Sequence, residues 1–414
     1  MNPRKTVALA VAAALTALSL AACGSDDTPT DNTGPVTITV AGPEAAWHEA
    51  VGKAFTDVYP DVTVEFVQAD ETTDATLGEA DVVTVADPSQ LAKWVKDKKV
   101  LDVRDIAQTV AAPAILDYVN DDGVWAVPVT QDPYVLFYNK DLFDEAGVDV
   151  PDGSWVWTDF TTAATALAGK LKDPAHATYL PRDAEGTAGL AAAQAGDTAD
   201  LMGGEDYTFL KPAYQRAASL IAGKAAPTHT EESGAVRPED AFLAGDVAMI
   251  LYPASLTQAL AGQVEFTWGL APVPQRDKLT AGLAKTPVTV GAPVGYAIPA
   301  DLDPAHLDGA KAWLQYIGSE SAAIQLAAQG VVAAVASDGV TNAYFEREGL
   351  PADSLSRFAF QTHTITAPVS LDAKAGEVWA AVTEANEALL AAADADSIDA
   401  RLAELTDQIK GIVK

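Results

Sequence analysis

The stretch VLFYNKDLFDEAGVDVP, residues 135–151, decides the fold. Its first four residues continue an apolar run from Tyr134, and their β-branched and aromatic content predicts a strand over 134–138. Asn139 ends the run, and the acidic segment 140–146 reads as a short helix. Gly147 stands where a helix closes in the left-handed conformation. The question is whether this strand end carries chemistry or marks a place where the chain passes between two bodies.

Outward from this point, strand and helix signals alternate. Residues 36–40 and 62–67 read as strands, and 47–59 between them reads as a helix with Val51, Phe55 and Val58 on one side. Residues 81–85 are apolar enough for a buried strand, and 247–252 form another after Pro238 and Gly245 bracket a short helix. Phe160, Ala163, Ala164 and Leu167 mark a longer helix, Leu307, Leu314 and Ile317 a further one, and 376–412 is mostly helical. Strands separated by helices imply crossovers, hence an α/β fold with mixed or parallel sheets flanked by helices. No internal repeat is present.

The first 22 residues have the layout of a secretory signal: Arg4 and Lys5, then an uncharged run from Val7 to Ala22. Leu20, Ala21 and Ala22 ahead of Cys23 resemble a bacterial lipobox, so Cys23 is expected to carry lipid and the polar residues 24–35 to form a tether. Cys23 is the only cysteine, so the fold must be held by its core rather than by an internal disulfide. Loss of the leader removes two cations and no acid, taking the net charge from −32 to −34. Such a surface repels phosphate backbones and excludes nucleic acid as a partner. The remaining ~390 residues exceed one hydrophobic core, so more than one domain is expected.

Enzyme signatures are missing: no G-x-S-x-G, no H-E-x-x-H, no P-loop and no G-x-G-x-x-G. The five histidines are scattered, and nothing calls for a metal or a cofactor. Asp394, Asp396 and Asp399 suggest a calcium loop, but Asp399 stands where its glycine belongs, so they are read as first-turn acids of the last helix.

Residues 138–151 resemble a segment of the extracellular solute-binding proteins of ABC importers, in the carbohydrate-binding cluster that includes maltodextrin-binding proteins. Six further stretches agree in the order that family shows: ADVV (80–83), GVWAVP (123–128), FLAGDVAM (242–249), WGLAPVP (268–274), GYAIP (295–299) and AKAWL (310–314). The resemblance implies a two-lobed, periplasmic-binding-protein-like fold. It assigns 36–133 and 296–363 to lobe one, and 134–295 and 364–414 to lobe two. Asn139, Lys140 and Asp141 then read as turn and cap chemistry at a crossing. Two departures stand out. The threonine cap expected before Trp157 is absent, and Tyr252-Pro253-Ala254 replaces the Gly-Pro-Trp that many members carry.

Sugar recognition needs aromatic faces and convergent carboxylates or amides at strand ends. On that basis the candidate ligand contacts are Glu44 and Trp47 after the first strand, Asp87 after the third, Gln131 and Asp132 before the first crossing, Tyr252, Tyr296 at the second crossing, and Trp379. The last matches a cleft tryptophan of maltodextrin-binding proteins. For Asp87 helix capping competes equally, and for Trp47 and Trp379 a core role competes. The remaining tryptophans are read as packing. The expected function is a lipid-anchored, outward-facing monomeric receptor that passes a sugar to an ABC permease. Alternatives are a cationic solute such as a polyamine, a secreted hydrolase, and ferric ion held by Tyr134 and Tyr138.

Overall fold

The computed structural model describes residues 34–414 except 70–72, 111, 172–176, 197–198, 204, 229–236, 279–281, 283–284, 362 and 393. Cys23, the expected leader and tether residues 24–33 lie outside the described residues. In chain order the strands are β1 (Val36–Gly42), β2 (Val62–Gln68), β3 (Val82–Val85) and β4 (Val127–Gln131). Next come β5 (Tyr134–Asn139), β6 (Thr178–Tyr179), β7 (Met249–Pro253) and β8 (Trp268–Ala271). The last are β9 (Val288–Val290), β10 (Pro293–Ala297) and β11 (Thr364–Thr366).

The first sheet has the order β2-β1-β3-β10-β4, with β1 parallel to β2 and β3, and β10 antiparallel to both neighbours. Apolar clusters cover both faces. Ile38, Val40 and Val82 pack with Trp313 and Leu314 on one side, and Ala41, Val83 and Val85 with Leu91 and Trp94 on the other. The second sheet has the order β6-β7-β5-β8. Its central strand is the opening stretch. Val135 and Phe137 face Phe242 and Leu270, while Leu136 and Tyr138 face Phe143, Phe160 and Leu167. Burial on both faces explains the near-continuous apolar run, and each such side chain contributes roughly 1.5–3 kcal/mol.

Local chemistry fixes where β5 turns into helix. The Asn139 side chain accepts from the N–H groups of Asp141 (3.0 Å) and Leu142 (3.2 Å), satisfying two donors that a helix start leaves open. Gly147 closes the helix Lys140–Ala146 at φ 57°. Before Trp157, where the threonine cap is absent, Asp159 Oδ2 accepts from Val156 N–H at 2.9 Å, so the helix Trp157–Ala168 is capped from inside its own first turn. Asp394 likewise accepts from Ser397 N–H at 2.8 Å and starts the last helix, Ala395–Val413.

Asp132 and Pro133 join the first sheet to the second, and Gly291 and Ala292 join β9 to β10 on the way back. β10 enters the first sheet at Pro293, ahead of the expected return at Tyr296. The expectation that 296–363 stays with lobe one also differs from the packing. Residues 331–334 run beside β4, with Ala334 N–H on Val129 O at 2.9 Å. The helices Asp338–Phe345 and Ser354–Gln361 then lie on the second sheet, where Tyr344, Phe345 and Ala359 join the Phe242 and Trp268 cluster. Ser356 Oγ accepts from Leu270 N–H at 3.0 Å, and Lys140 pairs with Asp353 at 3.1 Å. A lobe-one assignment failed here because an amphipathic helix does not announce which sheet will cover it.

The connections meet tightly. Gln131 Nε2 donates to Gly291 O at 3.3 Å, and Thr289 Oγ1 donates to Tyr134 O at 2.7 Å. β9 pairs in parallel with β11, whose Ile365 reaches the same point. A Cβ on Gly291 would stand 2.7 Å from Asp132 O and 3.0 Å from Ile365 Cγ2, closer than real Cβ atoms approach backbone. Gly291→Ala is therefore expected to lower unfolding stability by about 1–3 kcal/mol, the usual cost of overpacking. A chemical-denaturation midpoint equal to wild type would contradict this close approach.

Candidate ligand-binding cleft

Strand direction brings the strand ends of both sheets to one gap. In the first sheet, β1, β3 and β4 end at Gly42, Val85 and Gln131, and β10 begins at Pro293 opposite Gln131. In the second, Tyr134 pairs with Pro253, so β5 begins where β7 ends. Loops leaving these ends are free of ladder hydrogen bonds and can present side chains to a ligand.

The expected residues fare differently. Glu44 is exposed beyond β1. Trp47 is half-buried, edge-on to His48 at 4.4 Å and Phe66 at 6.3 Å, which gives it a packing role in lobe one. Asp87 caps the helix Pro88–Lys96, accepting from Ser89 N–H (2.8 Å) and Ser89 Oγ (3.0 Å), so both carboxylate oxygens are occupied. Gln131 is buried and holds Gly291. Tyr296 is not at the cleft: only 5% exposed, it sits inside β10 against Trp313, because its place in the strand turns it into the lobe-one core. Trp379 is half-buried on the helix Ala375–Leu390. Its Cη2 lies 3.3 Å from where a Gly189 Cβ would stand, which brings the ring to the π-helical turn Glu185–Gly189 beside β9.

Asp132 and Tyr252 belong to a group that includes residues not anticipated from sequence. Asp132 Oδ1 accepts from Ser255 N–H at 2.9 Å, and burial raises its carboxyl to about 6. Tyr134 donates to Asp183 Oδ1 at 2.7 Å, and Asp183 also accepts from Gly186 N–H at 2.7 Å. Glu185 accepts from Ala292 N–H at 3.0 Å, tying the turn to the second crossing. Burial raises Glu185 to about 7, and the charges of Asp183 and Asp132 push the same way. Tyr252 is pushed up by burial and by its hydrogen bond with buried Glu239, which Arg237 pairs at 3.1 Å. Tyr134 and Tyr252 thus stand among four carboxylates, and the cation that enters the group, Arg237, is largely exposed. The available sequence signal was PRDAEG, residues 181–186: a Pro- and Gly-bounded turn with two acids, hidden among the 58 acids of the chain.

A set of carboxylates in a partly dry gap accepts hydrogen bonds from hydroxyl or ammonium groups, and tyrosine rings offer faces to C–H surfaces. Asp132 and Glu185 are both raised, not driven apart as an acid and a nucleophile would be.

The chain belongs to the bacterial extracellular solute-binding proteins, whose family model matches residues 39–324. No curated protein matches it by sequence. Among solved structures it is similar to a sugar transporter from Rhizobium etli in an open conformation, at 21% identity and TM-score 0.80, covering 91% of this chain and 99% of that one. It is also similar to an ABC substrate-binding protein from Listeria monocytogenes in complex with cycloalternan, at 17% identity and TM-score 0.69, covering 91% and 98%. A third is a receptor from Streptomyces glaucescens solved unliganded and with acarbose, at 19% identity and TM-score 0.66, covering 91% and 98%. These likenesses establish the two-lobed fold. Family and fold are those of proteins that bind solutes for ABC transporters rather than of enzymes.

Glu185 carries a folded-state value near 7 against an ordinary 4.5. An acid raised in this way contributes its full share of stability below about pH 4 and loses it as pH rises through 7. Glu185→Gln keeps an acceptor for Ala292. It is expected to stabilise the ligand-free chain at pH 8 by roughly 1–3 kcal/mol and to leave pH 4 unchanged. Denaturant titrations at both pH values test this, and a gain of equal size at the two would contradict it.

Proposed function

We propose that this protein is a lipid-anchored receptor that holds a carbohydrate between its two lobes and hands it to an ABC permease. The observation that carries the reading is the meeting of Asp132, Asp183, Glu185 and Glu239 with Tyr134 and Tyr252 at the facing strand ends. Carboxylates accept from vicinal hydroxyls and the rings cover apolar sugar faces, a combination suited to polyols. Trp379 beside the Glu185 turn is the proposed third aromatic face, and Glu44, exposed after β1, is the proposed contact from the other lobe. Neighbours of the same fold include proteins solved with cycloalternan and with acarbose, which supports the substrate class. Cys23 is the proposed anchor and the polar residues after it the tether. The lobes are proposed to divide near 132–133, 291–292 and 336, and to close by bending there.

A second reading, a cationic solute, is favoured by one specific observation: among the described residues no cation acts on the carboxyls of Asp132 and Glu185. An ammonium group would fill that role. A hydrolase is disfavoured because the two raised carboxyls share one direction of shift.

A thermal-shift panel of mono-, di- and oligosaccharides, with putrescine, spermidine and amino acids alongside, separates these readings. A ligand at about 100 times its dissociation constant adds about 2.7 kcal/mol to the folded state. The expected result is a rise confined to one class of saccharide and lost in Asp132→Asn. A rise with polyamines alone would replace the carbohydrate reading with the second one.

A further inference from the structure

Apart from the crossings, the lobes touch at the segment 367–374. It leaves β11 after Thr366, whose carbonyl accepts from Gly291 N–H at 3.2 Å, and leads into the helix Ala375–Leu390. Local bonds turn it on itself. Asp372 N–H donates to Ser370 O at 2.9 Å, Asp372 Oδ1 accepts from Lys374 N–H at 2.7 Å, and Ala375 N–H donates to Asp372 O at 3.0 Å. Half-buried Leu371 packs on a cluster built from the first sheet and its cover, with Val83, Val85, Leu91, Trp94 and Tyr118. Val378, in the first turn of the following helix, lies in a different cluster, with Tyr207, Tyr214 and Leu402 on the second-lobe side of the crossings.

A second contact sits beside the first. A Cβ on Gly376 would stand 2.5 Å from Ser89 Oγ and 3.3 Å from Ser89 Cβ, so the start of the helix Ala375–Leu390 lies against the start of the helix Pro88–Lys96. Ser89 is only 1% exposed, and its Oγ donates to Asp87 Oδ2 at 3.0 Å. Bending at 132–133, 291–292 and 336 carries Val378 with the second lobe and Ser89 with the first. The segment between them cannot follow both. Its release returns Leu371 to water and uncovers Ser89, so the contact opposes any change in the angle between the lobes.

We propose that residues 370–376 form a strap that holds the lobes in the arrangement of this structure and must release before the cleft changes width. Leu371 and Gly376 then set saccharide affinity as positioning residues, without touching the saccharide. This inference rests on the two-lobed receptor reading. The strap ends one turn before Trp379, so its release also loosens the end of the helix that presents that ring.

The test is a reversible lock. In a Cys23→Ser background, which removes the only thiol, Ser89→Cys and Gly376→Cys are introduced together. The 3.3 Å between the two Cβ positions is a few tenths of an ångström under the span of a disulfide, about 3.5–4.5 Å, so oxidised glutathione is expected to join them. The probe is the saccharide that raises the melting temperature most. The reduced chain is expected to contract on adding it, as read by X-ray scattering. The oxidised chain is expected to show no contraction and an affinity at least tenfold different, with reductant restoring both. Leu371→Ser needs no bond: its ligand-free scattering is expected to give a broader distance distribution than wild type, and its affinity to shift about fivefold or more. A pair that fails to oxidise would contradict the contact. An oxidised chain that contracts and binds as the reduced one does would show that the strap rides with one lobe, and would overturn the proposal. If wild type binds no saccharide, the receptor reading fails on its own. The strap is then decided by the ligand-free scattering of Leu371→Ser, where a profile identical to wild type overturns it.

Discussion

The close approach at Gly291 is the constraint on which the rest depends. Two connections between the lobes and a neighbouring strand touch there: Asp132 through its backbone, Gly291 itself, and Ile365 of β11. Gln131 and Thr289 add hydrogen bonds across the same junction. Because the connections are this tight, the strand ends of the two sheets are held in register across the gap. Asp132 belongs to the first connection and Glu185 bonds to the backbone of the second, so two cleft carboxylates are anchored directly to the hinge. Under the proposed function, ligand contact and hinge geometry are a single structural feature.

The carboxylate group carries a tension that the proposed binding role would explain. Asp132 and Glu185 sit where burial disfavours their charged forms, and Asp183 adds like charge. A protein optimised only for stability would carry amides or apolar groups there. Retaining carboxylates costs stability at neutral pH and makes sense when a ligand arrives with donors to spend on them.

Much of the fold was legible in the sequence because it is written locally. The β5 stretch declares itself by apolar content, Asn139 by its cap position and Gly147 by its left-handed turn. The antiparallel insertion of β10 between β3 and β4 was not legible, since strand order is set by contacts far apart in sequence. The same reason hid the placement of Asp338–Phe345 and Ser354–Gln361. In the cleft, Asp132 and Tyr252 could be picked out as polar or aromatic residues at strand ends. Tyr296 has the same signature yet faces inward, because a strand's two faces look alike until its neighbours are known. Tyr134 reads as a core residue, and only the arrival of Asp183 from a distant turn gives its hydroxyl a role.

The central claim is that the lobes close on a carbohydrate by bending where the chain crosses near 132, 291 and 336. Small-angle X-ray scattering of the protein, with and without the saccharide that raises its melting temperature most, addresses it directly. The account predicts a smaller radius of gyration on binding and no change on adding that saccharide to Asp132→Asn. Thermal stabilisation with an unchanged radius in wild type would contradict closure and point instead to a rigid, preformed site.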